Sequence, residues 1–234
     1  MFNGKMKAVT FSYDDAVTQD RRLIGILNRY GLKCTFNLNS GLLGTHNSLI
    51  RGDVTVAHCK PRACEVAKIY RGHEVAAHTL THPALTKQTD EEVIRQVEQD
   101  RLALSEIVGY EVVGMAYPGG GGTLYDDRVV ELIRQHTGIR YARITTSTWN
   151  TELQSDLLRF RPTVHHTEGW TKLYKLACDF VLSQPETPQL LYIWGHAYEF
   201  DIDDSWDAFE MLCRLLAGKD DVFYGTNREV LLGD

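Results

Sequence analysis

The sequence predicts an α/β fold close to a barrel of about seven parallel strands. Short apolar segments alternate with amphipathic stretches of helical length along all 234 residues. Strands that alternate with helices pair in parallel through right-handed crossovers, which gives an α/β sheet or a barrel. We count about seven strand–helix units, which is more than a flavodoxin-like sheet contains. No linker rich in Gly, Ser or Pro and no internal repeat divides the chain, so residues 1–234 are expected to form one domain.

The predicted elements follow one another as strand–helix pairs. Strands are expected over residues 7–12, 33–38, 73–77, 112–116, 140–144, 189–194 and 222–224, and helices over 21–30, 61–71, 89–108, 126–137, 171–183 and 205–217. Gly31 is typical of a helix C-terminus, and Pro61 is typical of a first helical turn. Thr89 and Glu92 predict a capping box at the start of the clearest helix, and Thr226 is suited to cap a last short helix.

The composition excludes several classes of protein. Apolar residues make up 43% and charged residues 24% of the chain, which is ordinary for a soluble globular protein. The net charge of −6 is mild, and no cluster of Lys and Arg indicates a nucleic-acid partner. No run approaches the roughly 18 apolar residues that a membrane span needs. Residues 1–8 leave no room for a signal peptide before the first strand, so a cytoplasmic location is expected.

The five cysteines form an odd set without CxxC spacing. That pattern is typical of reduced thiols in a cytosolic chain rather than of a disulfide framework. Cys59 and Cys64 lie close to His58 in the sequence, and these three side chains are an alternative set of metal ligands. Buried free cysteine is common, however, which favours a structural role for both thiols.

Polar side chains follow four of the predicted strands, at the edge where parallel α/β folds gather their reactive residues. In chain order these are Asp14 and Asp15, His78 and His82, the segment 117–120, and His196. Each has a structural explanation when taken alone. Paired aspartates are common in turns and at helix N-termini. A single histidine can be a hydrogen-bonded residue of the core, and a glycine run can be a flexible loop. Their common position at strand ends favours a single site.

This set predicts a hydrolytic metal site. His78 and His82 are four residues apart, which on a helical turn places both imidazoles on one face. With one carboxylate they supply three protein ligands and leave a position for water, the pattern of catalytic zinc. The other carboxylate of the Asp14-Asp15 pair can then act as a base, and His196 can protonate a leaving nitrogen.

The glycine run at residues 119–122 suits the same chemistry. Because glycine has no Cβ, backbone N–H groups there can approach a developing oxyanion closely. The remaining histidines near predicted elements have no partner in the sequence pattern and are expected to be structural. They are His73, His136, His165 and His166.

In this order, the motifs resemble the polysaccharide deacetylase family, the NodB-homology domain of carbohydrate esterase family four. Residues 10–16 (TFSYDDA) resemble its first motif, with Ala16 where glycine is usual. Residues 72–82 (GHEVAAHTLTH) contain the second motif, H-[ST]-x-x-H. Residues 116–120 (AYPGG) resemble the third motif and residues 192–196 (YIWGH) the fifth. The resemblance extends over most of the chain.

The resemblance implies a distorted (β/α) barrel and a bound divalent metal. Zn²⁺ is the simplest choice, although two histidines and a carboxylate also suit Co²⁺, Mn²⁺ or Ni²⁺. It implies Asp14 as the general base and His196 as the general acid. The implied metal ligands are Asp15, His78 and His82. The implied oxyanion-binding and substrate-binding residues are Tyr117, Pro118, Gly119 (through its N–H), and Ile193 or Trp194 beside an acetyl methyl group.

Three features depart from the family pattern. Ala116 stands where many members have an arginine that orients the base, so Asp14 needs another partner. The candidate partners are Arg143, Arg159 and Arg161. The fourth motif, which tunes the acid histidine, is not recognisable, and the candidate replacements are Trp149 and Trp170. Residues 197–201 (AYEFD) are suited to contact a ligand or to form a solvated loop.

The sequence therefore predicts a metal-dependent hydrolase that removes an N-acetyl group from a carbohydrate, with no nucleic-acid or membrane partner. Hydrolysis of a small non-sugar amide is the alternative. The expected lack of a signal peptide favours it, because polymeric cell-wall glycans lie outside the cytosol. A third hypothesis is an inactive carbohydrate-binding homologue, and the complete set of five polar side chains argues against it.

Overall fold

A computed structural model describes residues 2–119 and 125–234. The strands are β1 Lys7–Asp14, β2 Cys34–Leu38, β3 Ser48–Arg51, β4 Val54–Ala57, β5 Glu74–Ala77, β6 Gly114–Ala116, β7 Tyr141–Arg143, β8 Val164–His165, β9 Gln189–His196 and β10 Val222–Tyr224. The α-helices are α1 Asp20–Arg29, α2 Ala63–Ile69, α3 Asp90–Val108, α4 Asp127–His136, α5 Trp170–Leu182, α6 Glu199–Ile202, α7 Trp206–Leu216 and α8 Asn227–Leu232. All the predicted strand–helix pairs are present. No helix among the described residues is long and apolar enough to cross a membrane.

Strand β1 is the centre of an eight-stranded sheet with the order β7-β6-β5-β2-β1-β9-β8, in which β10 also pairs with β1. Strand β9 pairs with β1 along its whole length. The other edge of β1 is shared, because β10 pairs with its first half and β2 with its second half. All these pairings are parallel, so the carboxyl ends of the strands lie at one rim.

The sheet closes through residues 160–165. The N–H of Phe160 donates to the carbonyl oxygen of Ala142 at 3.0 Å, which joins this segment to β7. The N–H of Thr163 donates to the carbonyl oxygen of Tyr192 at 2.9 Å, and β8 then pairs with β9. The two sheet edges are thereby connected, which confirms the predicted distorted (β/α) barrel.

Side chains alternate along β1 and β9 between the helix layer and the barrel interior. Phe11 of β1 and Ile193 of β9 belong to the large apolar core between sheet and helices. Thr10 faces the other way, and its hydroxyl donates to Oδ1 of Asn227 at 2.9 Å, so that α8 inserts its first residue into the barrel. By the same alternation, the last residues of β1 and β9 point into the carboxyl rim.

The hairpin formed by β3 and β4 is an addition that the sequence pattern does not predict. Its strands pair antiparallel with each other, as a sheet separate from the barrel. Most of its side chains are exposed, so no apolar alternation marks these strands in the sequence. The sequence pattern does not predict strand β8 either, because a strand of two residues is too short for any period to appear.

The predicted cap of α8 is confirmed. At α3 only one of the two hydrogen bonds of the predicted capping box is present. Thr226 and Glu229 form a complete capping box at α8. At α3 the hydroxyl of Thr89 accepts from the N–H of Glu92 at 3.3 Å. The carboxylate of Glu92 binds Arg95 instead of closing the box, because a guanidinium on the next turn is the stronger partner.

Candidate metal centre

The carboxyl rim of the barrel opens into a cavity of about 500 Å³. Six of the residues expected at the site line it: Asp14, Asp15, His82, Gly119, Trp194 and His196. Tyr198 and Glu199 also line the cavity, so residues 197–201 contribute to the site rather than forming only a solvated loop. The structure thus brings the first, second, third and fifth motifs to one cavity, as expected for the carboxyl ends of parallel strands.

Ligand atoms of Asp15, His78 and His82 lie within 4.8 Å of one another. The Nδ1–H of His78 donates to the carbonyl oxygen of Ala116 at 2.8 Å, which leaves a lone pair on Nε2. This Nε2 is buried, has no hydrogen-bond partner in the described chain, and lies 3.9 Å from Oδ1 of Asp15. Burial lowers the pKa of His78 to about 4, so the ring is neutral at neutral pH. The cluster therefore fits a divalent metal with a position left for water.

A loop, and not a helical turn, brings the two histidines together. Thr79 and His82 adopt left-handed conformations with φ of 66° and 60°, and the two imidazole centroids are 4.9 Å apart. Asn39 holds the loop by donating from Nδ2 to the carbonyls of His78 and Thr79. Asp100 accepts from the N–H of His78 at 2.9 Å. The helical-face interpretation of the four-residue spacing is wrong, although both rings do reach the same cluster.

Arg143 is the partner of Asp14. Its Nη2 donates to Oδ2 of Asp14, while Nδ2 of Asn37 donates to Oδ1 at 2.8 Å. Burial alone raises the pKa of Asp14, but Arg143 and the neighbouring histidines outweigh it and hold this pKa below its ordinary value. The other candidates, Arg159 and Arg161, bind side chains on exposed segments instead. Asp14 is therefore an ionised carboxylate with both oxygens bound.

Glu199 binds three histidines. Its Oε1 lies 3.1 Å from Nδ1 of His196, and its Oε2 accepts from the N–H of His196 at 2.8 Å. Oε2 also lies 3.3 Å from Nε2 of His165 and 3.4 Å from Nε2 of His166. Burial alone lowers the pKa of His196, but Glu199 outweighs it and raises the pKa to about 9. His196 is therefore protonated at neutral pH, with Nε2–H left for another acceptor.

This second cluster is a network of ion-pair contacts to Glu199 rather than a second metal site. Atoms of His165, His196 and Glu199 do lie within 4.8 Å of one another. However, Nδ1 of His165 accepts from the N–H of Thr167 at 3.2 Å, so the proton of the neutral ring lies on Nε2, which faces Glu199. A protonated nitrogen donates a hydrogen bond and has no lone pair for a metal.

The structure corrects two expectations about this network. His165 and His166 are not merely structural, because both contact Glu199, a partner too far along the chain for local spacing to indicate. The two tryptophans expected to replace the fourth motif lie elsewhere. Trp170 stacks on His166, and Trp149 lies under a lysine. The carboxylate in contact with His196 is that of Glu199.

Two of the residues expected to bind substrate reach the cavity, namely Gly119 and Trp194. Ile193 is fully buried in the core beneath the helices. Of the two candidates for contact with an acetyl methyl group, alternation along β9 turns Ile193 away from the rim and Trp194 toward it. Residues 120–122 of the expected glycine run lie outside the described residues.

The side chains of Tyr117 and Pro118 support the rim and do not form the cavity surface. Tyr117 is buried, and its hydroxyl donates to the carbonyl oxygen of Leu158 at 3.0 Å. Pro118 is buried beside it. Gly119 is the member of the third motif that lines the cavity, and the substrate contacts expected of Tyr117 and Pro118 stay a prediction.

The alternative cysteine site is not formed. Sγ of Cys59 donates to the carbonyl oxygen of Asn47, and Cys64 is exposed. Their neighbour His58 does reach the site, where its Nε2 lies 3.2 Å from Oδ2 of Asp15. Of the three predicted alternative ligands, only His58 therefore reaches the site, as a contact of Asp15.

An α/β barrel with paired carboxylates and three histidines at its carboxyl rim is the architecture of a barrel enzyme. The family profile described as polysaccharide deacetylase matches residues 3–142, more than half of the chain. The chain therefore belongs to the polysaccharide deacetylase family. No curated protein matches it.

Solved structures share the fold at low sequence identity. The family 4 carbohydrate esterase from Streptomyces lividans, in complex with acetate, is 14% identical with a TM-score of 0.57, over 95% of this chain and 92% of that one. The Streptococcus pyogenes deacetylase PplD, also in complex with acetate, is 20% identical with a TM-score of 0.50. That match covers 64% of this chain and 62% of PplD, so the chain spans less than two thirds of that protein. A mutant of BA3943, described as a CE4 family pseudoenzyme with restored enzymatic activity, is 17% identical with a TM-score of 0.58, over 97% of this chain and 68% of that one.

Proposed function

We propose that residues 1–234 form one catalytic domain that hydrolyses an N-acetyl group of a carbohydrate with the help of a divalent metal. The observation that carries the proposal is the buried Nε2 of His78, which lacks a described partner and faces Asp15 in a cluster that includes His82. Leaving such an acceptor unpaired is costly, which favours a ligand at this point. Membership of the family supports a hydrolase that acts on acetylated carbohydrate.

Asp15, His78 and His82 would hold the ion. When bound, a divalent metal supplies polarisation of the substrate carbonyl and lowers the pKa of water. Zn²⁺ fits two histidines and a carboxylate best, and Co²⁺, Mn²⁺ and Ni²⁺ also bind such sets.

Asp14 acts as the general base in this proposal. It is ionised, and its Oδ2 lies 3.9 Å from Nε2 of His78, at the edge of the ligand cluster. Arg143 and Asn37 fix its orientation, so that it can receive the proton of the attacking water. The same two contacts replace the arginine that the third motif lacks at Ala116.

His196 acts as the general acid. Because Glu199 keeps it protonated, it can give a proton to the departing nitrogen as the C–N bond breaks, which releases a carboxylic acid and an amine. The N–H of Gly119 would donate to the oxyanion that develops on the carbonyl, and Trp194 would contact the acyl methyl group. Acetate is bound in the Streptomyces lividans esterase and in PplD, which supports acetyl as the group removed.

A small non-sugar amide is the second candidate substrate. The cavity of about 500 Å³ is within the range of sites that enclose a small molecule, which favours this alternative to a long polymer. An inactive homologue is disfavoured, although BA3943 is described as a pseudoenzyme, because all five polar side chains are present in this chain.

Acetate release by the purified protein tests the proposal. The protein is stripped of metal, reloaded with Zn²⁺, and assayed against N-acetylated oligosaccharides of several lengths and against small linear and cyclic amides. We expect release from the oligosaccharides only in the loaded form. Turnover of the small amides alone selects the second candidate, and no turnover with any substrate or metal contradicts both.

Replacing Glu199 by glutamine is expected to move the alkaline limb of the pH–activity profile to lower pH. In this proposal activity falls at alkaline pH because His196 loses its proton, and Glu199 raises the pKa of His196 to about 9. Without the carboxylate this pKa falls, so the acid form is lost sooner as the pH rises. Glu168→Gln, at an exposed carboxylate, is the matched control and should leave the profile unchanged. An unmoved limb in Glu199→Gln contradicts the assignment of His196 as the acid.

A further inference from the structure

The last residue of β4 and the three residues that follow it lie along the loop that carries Asp15. We call residues 57–60 the clamp segment and residues 15–19 the aspartate loop. Each of the four clamp residues makes a hydrogen bond to the aspartate loop. Two of these bonds are Gln19 Nε2 to the carbonyl of Ala57 at 2.8 Å and Thr18 N–H to the carbonyl of Cys59 at 2.9 Å. The other two end on Asp15 itself.

His58 binds one oxygen of Asp15, and the other oxygen, Oδ1, faces the metal cluster and lies 3.9 Å from Nζ of Lys60. Its Nε2 lies 3.2 Å from Oδ2 of Asp15, and because an ionised carboxylate only accepts, Nε2–H is the donor. Oδ1 of Asp15 instead lies 3.9 Å from Nε2 of His78. Tyr198 holds the ring of His58 edge to face, with centroids 5.2 Å apart.

Lys60 binds the backbone of the same residue. Its side chain is only 3% exposed, and Nζ donates to the carbonyl oxygen of Asp15. Asp15 and Ala16 both have left-handed backbone conformations, with φ of 80° and 53°. This conformation is unfavourable for residues with a Cβ, so tertiary contacts must hold it. Lys60 supplies such a contact at the point where the loop turns.

His58 is not itself a member of the ligand cluster. Among the described residues, that cluster consists of Asp15, His78 and His82, and His58 approaches only the carboxylate. Groups that hydrogen-bond to a metal ligand orient it, and their loss typically lowers metal affinity by about 10–100-fold.

We propose that His58 and Lys60 are positioning residues that fix Asp15 for metal binding and thereby set the metal affinity of the site. The inference rests on the metal centre under the proposed function. It makes the β3–β4 hairpin part of the machinery of the site, because the clamp segment is the continuation of β4. Neither residue belongs to the motifs that place the chain in its family.

The dissociation constant for Zn²⁺, measured by competition with a chromophoric chelator, tests the inference. We expect His58→Ala and Lys60→Met each to weaken binding by about 10–100-fold. His58→Gln keeps an N–H donor at a similar reach and should bind within about threefold of the parent protein. The matched control is His46→Gln, at an exposed histidine that precedes the same hairpin. It should have no effect.

The absorption spectrum of bound Co²⁺ separates positioning from ligation. A positioning role leaves the ligand set unchanged, so the visible bands of the Co²⁺-loaded His58→Gln protein should match those of the parent. Shifted bands together with the weak affinity of His58→Ala would make His58 a ligand and overturn the inference. Parent-like affinity in His58→Ala and in Lys60→Met would also overturn it while leaving the metal centre intact. Failure of the parent protein itself to bind any divalent metal would instead remove the centre on which the inference rests.

Discussion

Replacing His78 by alanine is expected to remove the bound metal and to lower kcat/KM by about 1,000-fold or more, since losing the metal forfeits several kcal/mol of transition-state stabilisation. His78 supplies the only nitrogen of the cluster that is fully buried, and Ala116 fixes its ring so that Nε2 carries a lone pair. Without it, Asp15 and His82 are too few protein ligands for a tetrahedral catalytic site. Elemental analysis after gel filtration and an acetate-release assay measure the two effects.

The control for this experiment is His136→Ala, at an exposed histidine in the last turn of α4. It should retain both metal and activity. His82→Ala should behave like His78→Ala, because both rings belong to the same cluster. Full metal occupancy in either cluster variant, with the protein folded by circular dichroism, rules that histidine out as a ligand.

Replacing Arg143 by methionine is expected to lower the free energy of unfolding by about 3–5 kcal/mol. Arg143 and Asp14 are 1% and 3% exposed, so removing the cation leaves a buried carboxylate without its counter-ion. The same change raises the pKa of Asp14, because Arg143 helps to hold it below its ordinary value. The base is active when ionised, so the acid limb of the pH–activity profile should move to higher pH. Urea unfolding and pH–rate profiles measure the two effects.

A double variant distinguishes a lost ion pair from a lost packing contact. Asp14→Asn combined with Arg143→Met removes both charges, so it should recover at least half of the stability lost in Arg143→Met alone. Arg159→Met is the matched control, since Arg159 pairs with exposed carboxylates and its loss should cost at most about 1 kcal/mol. A cost of that small size in Arg143→Met would contradict the buried-pair interpretation.

The elements that the sequence predicts are those whose packing repeats along the chain. Helix α3 buries one face, and strands β1 and β9 are buried along nearly their whole length. The apolar pattern of the sequence therefore predicts all three elements. The β3–β4 hairpin buries little more than Val56, so its side chains carry no period that a sequence pattern can reveal. The closing segment 160–165 was also missed, because its pairing uses single backbone bonds to two different strands.

The residues of the candidate site also fall into those that the sequence predicts and those that it does not. Side chains that end strands, such as Asp14 and His196, are predictable because the end of a strand is visible in the sequence. Their partners are not, because Arg143 lies 129 residues from Asp14 and meets it only through the strand order of the sheet. The sequence offers three arginines as partners of Asp14, and the choice among them depends on which strand lies across the barrel. His58 belongs to the alternative ligand set with Cys59 and Cys64, but its contact with Asp15 is not predictable because it approaches from the unpredicted hairpin.

The position of β1 at the centre of the sheet has a consequence for how the chain folds. The strand that ends at Asp14 precedes its partners in the chain, yet Lys7 pairs with Gln189 on one edge and Val222 on the other. Such pairs give the chain a high contact order, which slows folding and leaves the early strand with open edges meanwhile. During synthesis the aspartates therefore stay without their scaffold until residues 189–224 have been made. Before that point the ligands of the metal are not yet held together. We therefore expect the metal to bind after the chain has folded rather than to promote its folding.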